Sequence, residues 1–183
     1  MKRVAFAVGL VVLVFSVSIW AQTQAPTPGP ELKKFEVFLG HWTYTGEYKA
    51  GPLGPASKVA GEWSSRKILG GFFIQNQWAE KGPTGESRGI EIVQYDPVAK
   101  SIYSTEYHSD GSSASGVYTF NGNVCTYSGK FLADLKQIMV RMTGTFSADS
   151  MGFTAKGEAS TDGKTWTPWY EGQYTKTKPA PKK

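Results

Sequence analysis

Reactive and metal-binding side chains are scarce in this chain. It has one cysteine, Cys125, and two histidines, His41 and His108, far apart in sequence. A single cysteine excludes an internal disulfide, and three scattered donors give no zinc spacing, so no metal site is expected. The lone thiol reads as a small buried apolar group. There is no phosphate-binding glycine loop, no Gly-x-Ser-x-Gly elbow and no dinucleotide fingerprint. Nucleotide and serine-hydrolase chemistry are therefore not indicated, and no catalytic residue is assigned. Basic charge is missing from the body of the chain. The formal net charge is +5, but Lys2, Arg3, Lys176, Lys178, Lys182 and Lys183 lie at the ends, and without them 14 basic residues face 15 acidic ones. A nucleic-acid binder carries its positive charge on the folded face, so no nucleic-acid partner is expected.

Long apolar runs are also few. The one such run, residues 4–19, follows the basic start Met1-Lys2-Arg3 and is shorter than the roughly 20 residues a spanning helix needs. It reads as a secretory signal over residues 1–21, with Ala21 the last residue before cleavage. No cysteine lies near that site for lipid attachment. The expectation is export to the periplasm or beyond the cell, with no stable membrane span after cleavage. Residues 22–30, with Pro26, Pro28 and Pro30, form a proline-rich linker, residues 31–177 one folded domain, and residues 178–183 a disordered basic tail.

What the chain does have is rings and turns. Aromatics make up 14% and glycines number 21, a mixture suited to many short strands joined by tight turns with large side chains inside. Leu32, Phe35, Phe38 and Leu39 recur at helical spacing, with Glu31 at the start and Gly40 as the stop. A helix this short is marginal alone, so it is expected to plug an apolar opening. From Trp42 onward the period becomes two: Trp42, Tyr44, Gly46 and Tyr48 share one face, and Thr43, Thr45, Glu47 and Lys49 the other.

Further strands are expected over residues 57–69, 72–80, 88–95, 101–109, 113–120, 124–128, 137–146, 153–160 and 166–176, with 131–136 a looser connection. Asn121-Gly122 marks a hairpin. Asp162-Gly163 marks another, in which Asp162 is expected to bind backbone N–H groups while Gly163 takes positive φ. A meander this long hides its edges best by closing on itself. The expected fold is all-β: a closed antiparallel up-and-down barrel of about 8–10 strands with a short N-terminal plug helix.

At Leu39-Gly40-His41-Trp42 the chain resembles the lipocalin-like, or calycin, superfamily, whose barrels place Gly-x-Trp at the start of the first strand just after a short helix. A closer resemblance covers nearly all of the chain after residue 21. Phe38-Leu39-Gly40-His41-Trp42, Gly51-Pro52-Leu53-Gly54-Pro55, Ile68-Leu69-Gly70-Gly71-Phe72, Gln94-Tyr95-Asp96-Pro97 and Ser160-Thr161-Asp162-Gly163-Lys164-Thr165-Trp166 appear in that order. They are similar to a family of secreted bacterial proteins, domain-of-unknown-function family fifteen-seventy-nine. That resemblance implies a lipocalin-like fold and no particular activity. A more distant likeness is to nitrobindin, a haem-carrying barrel whose iron ligand is a late-strand histidine. No histidine follows His108 here, so the late strands supply no such ligand and no cofactor is expected.

Candidate site residues follow from the alternation. Gly40 and Trp42 are assigned structural roles, the glycine ending the plug and the indole sealing the barrel base beside it. Tyr44, Trp63, Asn76, Trp78, Tyr118 and Tyr127 look inward, as core filling or as the lining of a cavity. Arg141, among Met139, Val140 and Met142, points either to solvent or inward, where it would pair with Glu91 or Glu106, stack on Trp42, or meet an acidic ligand. Glu106 and His108 share one strand face, as an acid–base couple or a pair at the rim, and His41 points away from Trp42 into solvent. The reading is an exported barrel that binds a small apolar or amphipathic molecule. Its alternatives are a barrel enzyme acting on a small substrate, and a non-catalytic envelope protein with a filled interior.

Overall fold

The computed structural model of the chain describes residues 27–133 and 136–177. The expected signal segment (1–21), most of the proline-rich linker and the basic tail (178–183) lie outside the described residues. Ten strands follow in chain order: β1 (Gly40–Tyr48), β2 (Ser57–Ile68), β3 (Phe73–Gly82), β4 (Gly85–Asp96), β5 (Ser101–His108), β6 (Ser113–Asn121), β7 (Val124–Ala133), β8 (Lys136–Phe146), β9 (Gly152–Ser160) and β10 (Thr167–Thr177). Each pairs antiparallel with its chain neighbours, and β1 also pairs with β10, from His41 opposite Thr177 to Tyr48 opposite Tyr170. The sheet is a closed barrel with no free edge, as the meander pattern requires. Among the described residues no helix is long and apolar enough to cross a membrane.

The plug differs in detail from the expected helix. It is a 3-10 helix over Pro30–Phe38, and its buried residues are Leu32, Phe35 and Phe38. A 3-10 helix has three residues per turn, so side chains at this spacing line up on one edge. That edge enters the barrel base and packs on Ile74, Val93, Ile102, Cys125 and Phe146, and burying each of the three side chains contributes about 1.5–3 kcal/mol. Gly40 ends the segment at φ +119°, a left-handed conformation that favours glycine. Trp42, 1% exposed, donates its indole N–H to the Phe38 carbonyl at 2.7 Å, so the first strand is tied to the plug by the hydrogen bond a buried indole needs. From β10, Lys176 reaches over the Trp42 ring at 5.2 Å and donates to the Val37 carbonyl at 3.3 Å.

Residues 131–136 are not a loose connection. β7 and β8 carry their ladder through the described part of this stretch, with Phe131 opposite Ile138 and Ala133 opposite Lys136. Phe131 belongs to a strand because it faces inward, edge-on to His108 at 5.3 Å. The Asp162 turn forms as its residues suggest. Its carboxylate accepts the Lys164 and Thr165 backbone N–H groups at 2.8 and 2.7 Å, and Gly163 has φ +71°. Those donors hold the Asp162 carboxyl down at about 2.

Candidate ligand-binding cavity

Above the plug the barrel is hollow. A cavity of about 660 Å³ runs from the ring of Phe38 to a mouth framed by the β1–β2, β3–β4 and β5–β6 connections, where Leu53, Pro55, Pro83 and Asp110 stand. Glycines inside the strands give large rings room to lie flat against the wall. A Cβ on Gly61 would come within 2.7 Å of the Tyr44 ring, and one on Gly157 within 2.7 Å of the Trp169 indole. Gly89 lies beneath Trp78, Gly116 and Gly129 beneath Tyr127, and Gly46 and Gly172 beneath Tyr170. Seating the rings in this way keeps the middle of the tube open.

The two sides of the lumen differ in chemistry. From β8, β9, β10 and β1 come Val140, Met142, Phe153, Ala155 and a run of aromatic rings. Tyr44 stacks on Tyr174 at 4.8 Å, Phe153 on Tyr174 at 4.2 Å, and Tyr48 on Trp169 at 5.4 Å. A bulge between Pro168 and Tyr170 shifts the register of β10 and brings both Trp169 and Tyr170 to the lumen. Across the ring of strands, β3, β4 and β5 contribute Asn76, Trp78, Glu80, Glu91, Ser104, Glu106 and His108.

The three glutamates are held mainly by neutral donors. Glu80 accepts from the hydroxyls of Tyr44 at 3.0 Å and Tyr48 at 3.1 Å. Glu91 accepts from the Asn76 amide at 2.6 Å and the Tyr118 hydroxyl at 2.8 Å. Glu106 accepts the Trp78 indole N–H at 2.9 Å and lies 3.5 Å from His108 Nε2. Glu91 and Glu106 are direct cross-strand partners on one face, a placement in which like charges repel. Burial raises the Glu91 carboxyl against the donors that oppose it. Burial, and then the charge of Glu91, raise Glu106 to about 8. Burial also lowers the His108 imidazole, so burial favours two neutral groups over an ion pair here. Burial pushes the Cys125 thiol up to about 12, which makes it unreactive.

Several buried polar atoms in or just behind the cavity wall have no hydrogen-bond partner: Asn76 Oδ1, the Tyr127 hydroxyl, His108 Nε2 and Trp169 Nε1. The Ser104 hydroxyl lies near both Glu91 and Tyr127 without a well-formed hydrogen bond to either. Buried groups of this kind normally find partners.

Of the residues singled out from sequence, Tyr44, Trp63, Trp78, Tyr118 and Tyr127 line the cavity, and Asn76 stands just behind its wall, bonded to Glu91. Gly40 and Trp42 lie at the base with the plug. Arg141 is elsewhere. It is exposed on the outer face of β8, its guanidinium 2.7 Å from Glu158 and 4.3 Å from the centre of the Trp166 ring, so its charge is met outside the barrel and no inward pairing exists. His41 is exposed, as alternation indicates. The sequence-based choice of site residues did not include Glu80, Glu91, Tyr48, Trp169, Tyr170 or Tyr174, and it left Glu106 and His108 open. Among the described residues no group of three or more His, Cys, Asp or Glu side chains is placed to hold a metal ion.

A closed ten-strand meander, corked at one end and hollow toward the other, is a lipocalin-like barrel. The chain belongs to the family described as protein of unknown function DUF1579, which it matches over residues 27–124. A comparison with curated proteins finds no match. Among solved structures it is similar to Rv2717c from M. tuberculosis, at 13% identity and a TM-score of 0.62, covering 82% of this chain and 99% of that one. It is also similar to the S-type phycobiliprotein lyase CPES from Guillardia theta, at 9% identity and a TM-score of 0.54, covering 81% of this chain and 93% of that one. At these identities the likeness is one of fold.

Proposed function

We propose that this protein is an exported binding barrel whose lumen holds one small amphipathic molecule. The observation that carries this reading is the 660 Å³ cavity itself, open at one end and lined by stacked rings, with buried polar atoms that have no partner. A volume of that size suits a ligand of a few fused rings or a branched chain. The rings supply apolar contact, and Tyr127 and Trp169 supply the few polar contacts that orient a guest. Export rests on the basic start and apolar run of residues 1–21, and a secreted chain beginning at Gln22 by mass spectrometry is the expected product; a full-length chain retained in the cytoplasm would contradict it.

Trp63, Trp78 and Trp169 all face the lumen, so binding should quench their fluorescence. The test is titration with a panel of neutral, acidic and basic ring compounds and isoprenoids. Saturable quenching that is lost in Ala155→Phe, a substitution that fills the lumen from a buried wall position, is the expected result. Native mass spectrometry showing no retained ligand, together with no saturable quenching by any compound, refutes it.

A second reading draws on the meeting of Glu106 and His108 at 3.5 Å inside the same cavity. A carboxyl whose ionisation is moved toward neutral pH, beside a neutral imidazole, suits proton transfer to or from a bound substrate.

A further inference from the structure

We propose that the lumen is selective for an organic cation: an amine or quaternary ammonium on an apolar, ring-bearing body, with its charged group between the glutamates of β3–β5 and the rings of the opposite wall. The inference rests on the binding reading above and deepens it by naming the ligand class.

The first support is charge. Glu80, Glu91 and Glu106 all face the cavity, and none of them has a cationic partner within it. Among the described residues, the basic side chains that line this space are Lys49 and His108, and burial lowers the His108 imidazole away from its charged form. Lys49 stands at the mouth, 2.9 Å from Glu47, and Lys176 lies at the base, over Trp42. Buried carboxylates without a countercharge are costly, and a bound cation removes that cost. A carboxylate or phosphate ligand would set its own charge against the same acids and find no cationic partner beside them.

The second support is independent of the acids. Tyr127 lines the cavity, is 8% exposed and has an unpartnered hydroxyl, while the unpartnered Asn76 Oδ1 lies behind the wall. The Tyr127 oxygen can accept from an N–H group. Burial, and then the nearby carboxyls of Glu106 and Glu91, raise the Tyr127 hydroxyl, which places that oxygen near the acids.

The third support is the facing wall. The stacked Tyr48–Trp169 pair lines the lumen there and Trp78 lines it beside the acids, and a cation over an indole or phenol face is attracted to it. The absence of metal-holding spacing among the described acids favours an organic cation over a metal ion.

The test is calorimetric titration of the full chain at neutral pH with three probes on one frame: an aminomethyl-anthracene, its hydroxymethyl analogue and the anthracene carboxylate. The amine is expected to bind at least about tenfold more tightly than the alcohol, and the carboxylate most weakly of the three. Glu106→Gln should bring the amine down to the alcohol's affinity and leave the alcohol within about twofold, because glutamine keeps an acceptor for Trp78. Glu80→Gln, which keeps one acceptor oxygen within reach of Tyr44 and Tyr48, serves the same purpose if the first variant does not fold. Alcohol or carboxylate binding as tightly as the amine would overturn cation selectivity while leaving the binding barrel intact. An amine preference that survives in the folded glutamine variant would do the same. If none of the three binds, this inference falls, and the binding reading stands or falls on the panel titration and native mass spectrometry described above.

Discussion

Replacing Glu106 by glutamine should change how stability depends on pH. The folded chain holds the Glu106 carboxyl at about 8 against an ordinary 4.5, first through burial and then through the charge of Glu91. Between those values the folded state keeps a proton that the unfolded chain releases. The resulting stabilisation is therefore complete below about pH 4.5 and is lost as pH rises through about 8. At about 1.4 kcal/mol per pH unit the ceiling is about 5 kcal/mol. The side chain is 28% exposed, and its exposed surface meets an open lumen, so solvent reduces the expected loss to about 1–3 kcal/mol. Urea unfolding at about pH 5, 7 and 9 and fixed ionic strength measures it. The native chain should lose that amount across the series. Glu106→Gln should lose much less, keeping a residual slope from Glu91, and the two proteins should differ most at the alkaline end. Parallel pH profiles for the two proteins would refute the placement of an uncompensated carboxyl in the lumen.

Two further substitutions probe the wall from opposite sides. Gly61→Ala would place a Cβ 2.5 Å from the Ala79 carbonyl oxygen and 2.7 Å from the Tyr44 ring, so it should cost about 1–3 kcal/mol and loosen the Tyr44–Glu80 hydrogen bond. A melting temperature equal to that of the native chain would contradict the ring-on-glycine seating. Arg141→Ala removes an exposed pair with Glu158, so unfolding by urea should show a change of less than about 1 kcal/mol, and probe affinity should not move. A lost affinity would place that side chain at the lumen after all.

The frame of this fold was legible because its signals are local and repeated. Trp42 after Gly40, the change of period from the plug to β1 and the Asp162 turn each depend on neighbours within a few residues, and the structure places all three as read. The chemistry of the lumen was harder to read because some strands are apolar on both faces. On β4, Ile90 is 40% exposed on the outer surface while Glu91 beside it is buried, so hydrophobicity alone puts the glutamate outside. On β8, Met139 lies on the outer face under the Gly163 turn and Val140 is buried within, which hid the phase of Arg141. The abundant glycines suggested turns. Gly61, Gly89, Gly116 and Gly157 instead sit within strands and make space for rings contributed from other positions, a relation that no short window of sequence contains.

The β1–β10 seam has a consequence for how the protein is made. Nine of the ten strand contacts join chain neighbours, whereas the seam unites segments 136 positions apart, as in the bond from Thr177 to the His41 carbonyl. Hairpins can therefore zip in the order of synthesis, but there is no enclosed vessel until the final strand docks. The same strand brings Lys176 to the Trp42 ring and the Val37 carbonyl, so shutting the wall also latches the stopper at its floor. A nascent chain stalled before β10 would leave two unpaired borders and an uncontained interior, a species open to aggregation and unable to carry cargo.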